Sequence, residues 1–410
     1  MAKPTIRFRG FDYEWEQRKF GEITELKSAS RVHKDEWTSN GVPFYRSSDV
    51  MAAINGTENE KAFISEELYE KLSKVSGKLE EGDILVTGGG SVGNPYIVPD
   101  NKPLYTKDAD LLWIKNKGKF HPYFLYEFFF SPTFRNYLES ISHVGTIAHY
   151  TITQLSDTPI CLPSFDEQKE VGEYFQSLDN LITLHQRKCD ETKKLKKYML
   201  QKMFPQNGSK VPEIRFKGFT DEWEQRKFGE IVEKYEDPIE TPTEGYTRLG
   251  IRSHAKGTFH SYVEKGKELE TAKMFRVAAD KFIVNITFGW EHAVAITDEN
   301  DAGKLVSHRF PQYSFNAGMN PNFFRYLILD ENFKHHLELS SPGGAGRNRV
   351  LKLSDMLEYK MNFPSEAEQK KIAAYFDDLD NLITLHQHKC EELKKLKKFM
   401  LQNMFTQKNK

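Results

Sequence analysis

Two stretches of the chain, 167–204 and 368–405, place apolar or small residues at alternating spacings of four and three. The first stretch runs through Leu178, Ile182, His185, Cys189 and Thr192, and the second through Leu379, Ile383, His386, Cys390 and Leu393. An average repeat of about 3.5 residues is typical of a coiled-coil seam. Each stretch therefore predicts one long helix, about 57 Å in length at a rise of roughly 1.5 Å per residue.

Beyond Thr192 the apolar positions shift to Leu195, Met199 and Met203, and the second stretch repeats the shift after Leu393. We interpret the shift as a stutter in the seam, with Leu195 among the pairing residues. Because a seam needs a partner and the other copy is the nearest candidate, we expect the two helices to pack on each other, antiparallel. The alternative is that each helix packs only on its own domain.

His185 with Cys189, and His386 with Cys390, stand four residues apart on one helical face. Two such pairs would suit a Cys2His2 metal site if the helices crossed at that level. We favour the other interpretation, in which they are weakly polar seam positions that help to fix the register, and we predict no metal.

Both stretches belong to a larger internal repeat. Residues 4–25 return as 212–233 with 17 of 22 positions identical, and 167–204 return as 368–405 with 27 of 38 identical. The segments between them, 26–166 and 234–367, share almost no identity. The pattern predicts an α+β protein in which two α/β domains, related by a pseudo-twofold axis, are separated by a pair of long antiparallel coiled-coil helices. We place the domains at 1–160 and 212–362, and the helical segments at 161–211 and 363–410.

The two variable segments differ in sequence but share an order of elements. Alternating runs at 83–99 and 281–297 read as two strands joined by a tight loop, and aromatic-rich helical segments follow them. Each segment closes with a polar loop, at 143–153 or 343–353. Arginine can pair with guanine and asparagine with adenine, so these loops suit base reading, although any surface loop is rich in such residues. The candidate DNA-binding residues are Arg46, Ser47, Ser91, Asn94, His143, Thr146, His149 and Tyr150 in the first segment, and Arg248, Arg252, His254, Lys256, Trp290, His292, Arg347, Asn348 and Arg349 in the second.

Composition limits the classes of function. The chain has 410 residues, 38% of them hydrophobic, which is enough for several packed domains. No apolar run approaches the roughly 20 residues that span a bilayer. The three cysteines form no disulfide framework, so we expect a cytoplasmic protein. A formal net charge of −1 indicates that DNA binding would rely on local basic patches or on a partner. The lysine-rich runs at 193–197 and 394–398 are either solvated faces or surfaces for phosphates or an acidic partner.

The sequence shows no catalytic constellation. Gly88, Gly90 and Gly93 match the G-x-G-x-x-G pattern of dinucleotide sites, but the following residues read as a strand where that motif needs a helix. The Lys-Ser/Thr pair of a phosphate-binding loop is replaced by Asn94-Pro95. We therefore predict no catalytic residues.

Several motifs recur in a fixed order around the long helices. They are EWEQRKFGEI at 14–23 and 222–231, GDILVTGGGSVG at 82–93, and the similar closing segments of the two inserts at 160–182 and 361–383. In these motifs, over essentially its full length, the chain resembles the specificity subunit of type I restriction–modification systems. One departure is residues 287–290, where the second segment lacks the small glycine-rich loop of the first.

The resemblance implies two target-recognition domains, each reading one half of a bipartite sequence in double-stranded DNA. It also implies that the helices set the spacer and dock two methyltransferase subunits. S-adenosylmethionine would belong to those subunits, and ATP and Mg to separate restriction (translocase) subunits, so this chain would hold no cofactor and catalyse no reaction. The alternatives are a two-headed non-catalytic scaffold, a stand-alone DNA-binding protein, and a DNA enzyme with an unrecognised active site.

Overall fold

The computed structural model describes residues 3–108, 110–141, 149–206, 208–269, 273–343 and 349–406. The chain divides into two compact units, called here unit 1 (Met1–Arg187 with Gln387–Lys410) and unit 2 (Lys188–His386). Each unit therefore combines one variable segment with parts of both long helices, whereas the sequence-based division treats the helices as segments of their own.

Unit 1 is built from short strands and helices that precede the first long helix. In chain order they are β1 (Glu16–Lys19), α1 (Phe20–Ile23), β2 (Leu26–Ser28), β3 (Trp37–Thr38), β4 (Val42–Tyr45), α2 (Ser47–Asn55), β5 (Ala62–Ile64), α3 (Glu66–Ser76), β6 (Ile84–Thr87), β7 (Pro95–Ile97), β8 (Tyr105–Thr106), β9 (Leu111–Ile114), α4 (Pro122–Phe128), α5 (Pro132–Ile141), α6 (Ile152–Asp157) and β10 (Pro159–Leu162). The long helix α7 (Phe165–Lys202) begins in unit 1 and ends in unit 2.

Unit 2 follows the same plan. Its elements are β11 (Glu224–Lys227), α8 (Phe228–Ile231), β12 (Val232–Tyr235), β13 (Pro238–Glu240), β14 (Tyr246–Ile251), β15 (Thr258–Val263), β16 (Lys273–Arg276), β17 (Lys281–Val284), β18 (Val294–Ile296), β19 (Leu305–Val306), β20 (Gln312–Phe315), α9 (Pro321–Leu327), α10 (Glu331–Leu339), α11 (Leu353–Leu357) and β21 (Lys360–Phe363). The second long helix, α12 (Glu366–Met404), begins in unit 2 and ends in unit 1.

Each unit has one sheet whose topology matches that of the other unit and a second sheet whose topology differs. The antiparallel sheet β2-β9-β6-β7 of unit 1 corresponds to β12-β20-β17-β18 of unit 2, and the strand pair β1-β10 corresponds to β11-β21. The second sheet of unit 1, β3-β5-β4-β8, has four strands, whereas unit 2 has five in the order β13-β16-β19-β14-β15. The predicted α+β class and the predicted order of elements are therefore confirmed, and the variation lies in the second sheet.

The long helices begin at bidentate ion pairs that the repeated frame supplies in both units. Glu167 in the first turn of α7 is 1% exposed and binds Arg7 at 2.6 and 2.7 Å. Glu368 in the first turn of α12 is also 1% exposed and binds Arg215 at 2.7 Å through both oxygens. An acidic side chain near a helix N-terminus also interacts favourably with the helix dipole. The repeated arginine thus ties each N-terminal segment of the frame to a long helix.

In unit 1 the start of α7 and the end of α12 run antiparallel. The sulfur of Cys390 lies 4.0 Å from the carbonyl oxygen of Ile182. Earlier on α7, Phe175 contacts Phe405 beyond the end of α12, with ring centroids 6.1 Å apart. Lower residue numbers on α7 therefore contact higher residue numbers at the end of α12, as in an antiparallel pair.

Unit 2 repeats this arrangement with the helix halves exchanged. The sulfur of Cys189 lies 3.9 Å from the carbonyl oxygen of Ile383, and Phe204 contacts Phe376 at 6.0 Å between ring centroids. Seam residues in both units are shielded from solvent. Buried ones are Leu178, Cys189, Leu379 and Cys390, and half-buried ones are Ile182, His185, Ile383, His386 and Leu393.

The stutter predicted beyond Thr192 is wrong. Leu195 is 44% exposed and lies outside the seam, so it does not pair with the other helix. The spacing of four and three continues from the predicted Thr192 through Lys196, Met199 and Met203, and all four residues are at least half-buried. A lysine occupies this seam position because the other helix supplies a carboxylate, Asp380, which Lys196 Nζ binds at 2.6 and 2.7 Å.

Candidate nucleic-acid interface

Three loops of unit 2 that are far apart in the chain meet in space. In the turn between β14 and β15, the His254 amide donates to the carbonyl oxygen of Glu291 at 2.8 Å. The loop after β17 contacts the closing polar segment, because the Leu351 amide donates to the carbonyl oxygen of Ile286 at 2.8 Å. A Cβ on Gly289 would lie 2.9 Å from Leu351, so this close approach requires glycine. The fold thus gathers most of the predicted DNA-contacting positions of the second segment.

A cleft of about 620 Å³ opens beside these loops, between β14, residues 285–291 and residues 307–310. Its polar lining includes the two arginines Arg248 and Arg309, together with Asn285 and Glu291. Ser253 donates a hydrogen bond to Glu291 Oε2 at 2.5 Å, which orients the carboxylate. Leucine, isoleucine and phenylalanine side chains form the apolar part of the walls. Concave, mostly apolar sites with a few placed polar groups are typical of ligand recognition.

Two predicted arginines of unit 2 are held by the protein itself. The Arg252 guanidinium lies 5.3 Å from the ring centre of Phe259 and donates to a backbone carbonyl. The Arg349 guanidinium lies 5.5 Å from the ring centre of Trp290 and 3.9 Å from the Glu338 carboxylate. Stacking on aromatic rings keeps a guanidinium in a defined plane while part of its edge can still donate. His254 and Lys256, by contrast, are exposed on the turn.

His292 is a core residue, which corrects its assignment as a DNA contact. Its side chain is 3% exposed, and Nε2 lies 2.8 Å from the carbonyl oxygen of Ile328. Burial lowers the pKa of His292, so the ring is neutral in this position. The backbone at His292 has a φ of 60°, which lets the loop turn back into β18. The residue shapes the loop from inside the unit.

In unit 1 the corresponding loops converge on the backbone of Asp110. The Gly88 amide and the Ser47 hydroxyl both donate to the Asp110 carbonyl oxygen, at 2.7 and 3.0 Å. The Tyr150 amide donates in turn to the Gly88 carbonyl oxygen at 2.8 Å. Ser91 and His149 are exposed beside them. The glycine-rich loop connects β6 to β7, so a strand follows it, as predicted, and it opens no helix.

Three predicted residues of unit 1 serve the structure. Tyr150 is 1% exposed and its ring packs on Phe134, so it belongs to the core and is corrected as a DNA contact. Arg46 binds Asp49 at 2.9 Å. Asn94 accepts a hydrogen bond from Arg135 at 3.0 Å and donates to the Ser91 carbonyl oxygen at 2.8 Å. Both polar groups of Asn94 are therefore used to shape the loop.

Four predicted positions, His143, Thr146, Arg347 and Asn348, lie outside the described residues. Sequence reasoning in turn missed Arg135, His308 and Arg309. No local pattern distinguishes His308 and Arg309, which follow a two-residue strand. Only the approach of β14 and the 285–291 loop reveals that they line a cleft.

The described ranges contain no cluster of three or more side chains able to hold a metal ion. Within the same ranges, no helix has the length and apolar character needed to cross a membrane.

The comparisons with known proteins agree on one family. The profile described as the type I restriction modification DNA specificity domain matches residues 13–194 and again 220–395. The type I restriction enzyme MjaVIII specificity subunit of Methanocaldococcus jannaschii is 24% identical over 371 residues, covering 84% of each chain. The putative MjaX specificity subunit of the same organism is 24% identical over 421 residues, covering 96% of this chain and 93% of its own.

A solved structure of a type I restriction–modification S subunit from M. genitalium shares the fold. It covers 100% of both chains with a TM-score of 0.58 at 14% sequence identity. At that identity the similarity speaks for the fold alone, whereas the profile matches two segments that together span most of the sequence. The chain belongs to the family of type I restriction–modification DNA-specificity subunits, and its role is to recognise DNA without catalysing a reaction itself.

Proposed function

We propose that each variable segment reads one half of a bipartite DNA target and that the paired helices set the spacing between the half-sites. The observation that carries this proposal is the repeated frame with unlike loops. Each unit has a four-stranded sheet of the same topology, and its hairpin loop, between β6 and β7 in unit 1 and between β17 and β18 in unit 2, meets other loops. The exposed side chains around these loops differ: they are Ser91 and His149 in unit 1, and His254 and Lys256, on the adjoining β14–β15 turn, in unit 2. Unlike side chains on like supports favour two different half-sites.

The helices also offer a docking surface for methyltransferase subunits. Leu181 and Leu396 in unit 1, and Leu195 and Leu382 in unit 2, are each 40–44% exposed. Each directly precedes a seam position, so all four lie on the same flank of their helices. In an antiparallel pair these matching flanks face one side. Tyr198, Leu385 and Phe399 extend the exposed apolar surface. Apolar stripes of this kind mark interaction sites, and helices of a partner would cover them.

Partner subunits would also explain how a chain with almost no net charge binds DNA. With 58 basic and 59 acidic residues, the chain alone lacks the positive excess that DNA phosphates attract. Bound methyltransferase subunits would supply positive surface together with S-adenosylmethionine, and the restriction subunits would supply ATP-driven chemistry. We therefore expect weak, salt-sensitive DNA binding by the isolated chain and tight binding by the complex.

The central test maps methylated adenines in the genome of cells that express this chain with its methyltransferase, and in cells that lack it. The expected result is one bipartite motif, with two unlike half-sites separated by a spacer of constant length and free sequence. A single contiguous motif, or methylation unaffected by deletion of this chain, would contradict the proposal. A gel-shift assay with and without the methyltransferase distinguishes DNA recognition from general scaffolding.

The role of the helices as a spacer has its own test. Inserting one heptad into α7 and the matching heptad into α12 preserves the seam and lengthens both helices by about 10 Å. We expect the preferred spacer to become longer while both half-sites stay the same. Half-sites that change with the insertion would show that the helices do more than set a distance.

A further inference from the structure

The cleft of unit 2 holds two arginines that differ from several other arginines among the described residues. Arg7, Arg46, Arg215 and Arg226 each bind a carboxylate within 3 Å, so part of each guanidinium is already engaged. Among the described residues, the guanidinium groups of Arg248 and Arg309 have no hydrogen-bond or ion-pair partner. Both nevertheless line one cleft. Their donors are therefore available to a ligand that enters it.

The acidic group in the same cleft restricts what that ligand can be. Glu291 lines the cleft, and Ser253 binds only one of its two carboxylate oxygens, Oε2. A DNA phosphate would pair with the two arginines but be repelled by this carboxylate, whereas a base edge that offers both acceptors and a donor would satisfy all three charged groups. In the major groove, guanine presents O6 and N7 as acceptors, and its partner cytosine presents the N4 amino group as a donor. Arginine suits the first and a carboxylate suits the second.

The rest of the lining fits an edge of stacked bases better than a sugar-phosphate chain. Phe259 and Phe310 contribute aromatic surface, and Asn285 adds an amide that can bind a neighbouring base. Asn285 Oδ1 already accepts from the Thr287 amide at 3.0 Å, which holds the side chain in place. A side chain held in this way presents its remaining donors in a defined direction.

We propose that this cleft reads a G·C base pair in one half-site through the major groove. Arg248 and Arg309 donate to the guanine, and Glu291, oriented by Ser253, accepts from the cytosine amino group. The inference rests on the proposed bipartite recognition and deepens it, because it assigns one position of one half-site to named side chains of unit 2.

The experiment maps methylated adenines for the complex of the full-length chain with its methyltransferase. Three variants probe the cleft: Arg309→Ala, Arg248→Ala and Glu291→Gln, the last of which keeps the shape of the side chain and its contact with Ser253. Lys265→Ala is the charge-matched control, since it removes an exposed cation of the same unit that pairs with Glu244 outside the cleft. Thermal unfolding of every variant verifies that the fold is intact.

We expect each cleft variant to lose preference at one G·C position of one half-site by about tenfold or more, with the other half-site and the spacer unchanged. The control should retain the full motif. An unchanged motif in all three cleft variants, or uniformly weaker methylation with the same motif, would overturn the inference and indicate a cleft that is unused or contacts phosphate. If the unmodified complex shows no bipartite motif, the proposed function fails independently of the cleft.

Discussion

Lys397 in unit 1 and Lys196 in unit 2 occupy the same position of the repeated helix, but their surroundings differ. Each ammonium group binds the matching aspartate of the other helix, Asp179 at 2.7 Å in unit 1 and Asp380 at 2.6 Å in unit 2. The side chains of the two lysines are only 17% and 20% exposed. The repeated frame therefore places an ion pair within the seam of both units.

The third member of each network comes from the variable segment. In unit 1 it is Glu127 on α4, which is fully buried and binds Lys397 at 2.8 Å. The corresponding residue of α9 in unit 2 is Tyr326, whose hydroxyl donates to Asp377 at 2.8 Å and to Asp380 at 3.0 Å. One unit adds a buried acid and the other a neutral phenol. The comparison teaches that the frame determines the helix pairing while the insert sets the charge around it.

The two networks respond differently to protons. Burial raises the pKa of Glu127 to about 8, with Lys397 acting against the rise and Asp179 adding to it. Burial opposes the charge on Lys397, but the two carboxylates outweigh it and raise the lysine pKa. In unit 2, burial and the nearby aspartates raise the pKa of Tyr326, so its hydroxyl remains a donor. The unit 1 network therefore contains a group that changes its charge near neutral pH.

The largest expected effect comes from substituting the buried phenylalanine that anchors the end of each long helix. Phe405 is 3% exposed and lies 5.3 Å from Phe124 between ring centroids, and Phe204 lies 5.6 Å from Phe323 in the same way. Phe405→Ala and Phe204→Ala should each lower the free energy of unfolding by about 3–5 kcal/mol.

Urea unfolding combined with hydrogen exchange would assign each loss to its unit. The matched control is Phe399→Ala, since Phe399 is 52% exposed on α12, the helix that precedes the unit 1 anchor. If only one of the two variants lost stability, the two anchors would not play equivalent roles in their units.

Substitution of the seam lysines should lower the stability of the protein by different amounts in the two units. Lys397→Met leaves Asp179 and the buried Glu127 without a cation, so we expect a loss of about 3 kcal/mol in the free energy of unfolding above pH 8. Lys196→Met leaves Asp380, which is 44% exposed and can be solvated, so we expect a loss of only about 1 kcal/mol. Denaturant unfolding of both variants measures the difference, and equal losses would show that Glu127 adds nothing to the network.

A pH series tests the buried acid directly. An acid with a raised folded-state pKa binds more protons when folded, so stability is greatest below its ordinary pKa and falls as pH rises towards about 8. Glu127→Gln should remove this slope. The free energy of unfolding of the variant minus that of the original chain should therefore be at least about 1 kcal/mol larger at pH 8.5 than at pH 5.

Tyr326→Phe is the control, because the phenol does not titrate in that range and the slope should remain. Parallel stability curves for the Gln variant and the original chain would contradict the assignment of the proton to Glu127.

The smallest effect on folding concerns the exposed flank of the helices. Leu195→Ala and Leu396→Ala remove side chains that are 44% and 40% exposed, so each should change the free energy of unfolding by less than about 0.5 kcal/mol. Both should nevertheless weaken association with the methyltransferase, measured by titration of the purified subunits. Unchanged affinity for both variants would exclude this flank as the docking surface.

Sequence reasoning succeeded where the signal was periodic and local. The repeat spacing located both long helices to within about two residues, and alternating runs located the paired strands of both inserts. It failed where a distant residue changes the meaning of a side chain. Lys196 reads as a surface residue until Asp380 is seen opposite, and His292 reads as a loop contact until the carbonyl oxygen of Ile328 is seen to bind it.

By itself, the sequence determined the repeated frame, the two long helices, the alternation of strands and helices in each insert and the membership of the family. Those properties follow from spacing and identity along the chain. Only the tertiary structure decided which lysine enters the seam, which aromatic and histidine residues are core, and that Arg309 shares a cleft with Arg248. The physical reason is that burial and hydrogen bonding depend on partners brought from elsewhere in the chain, and no local pattern records where those partners lie.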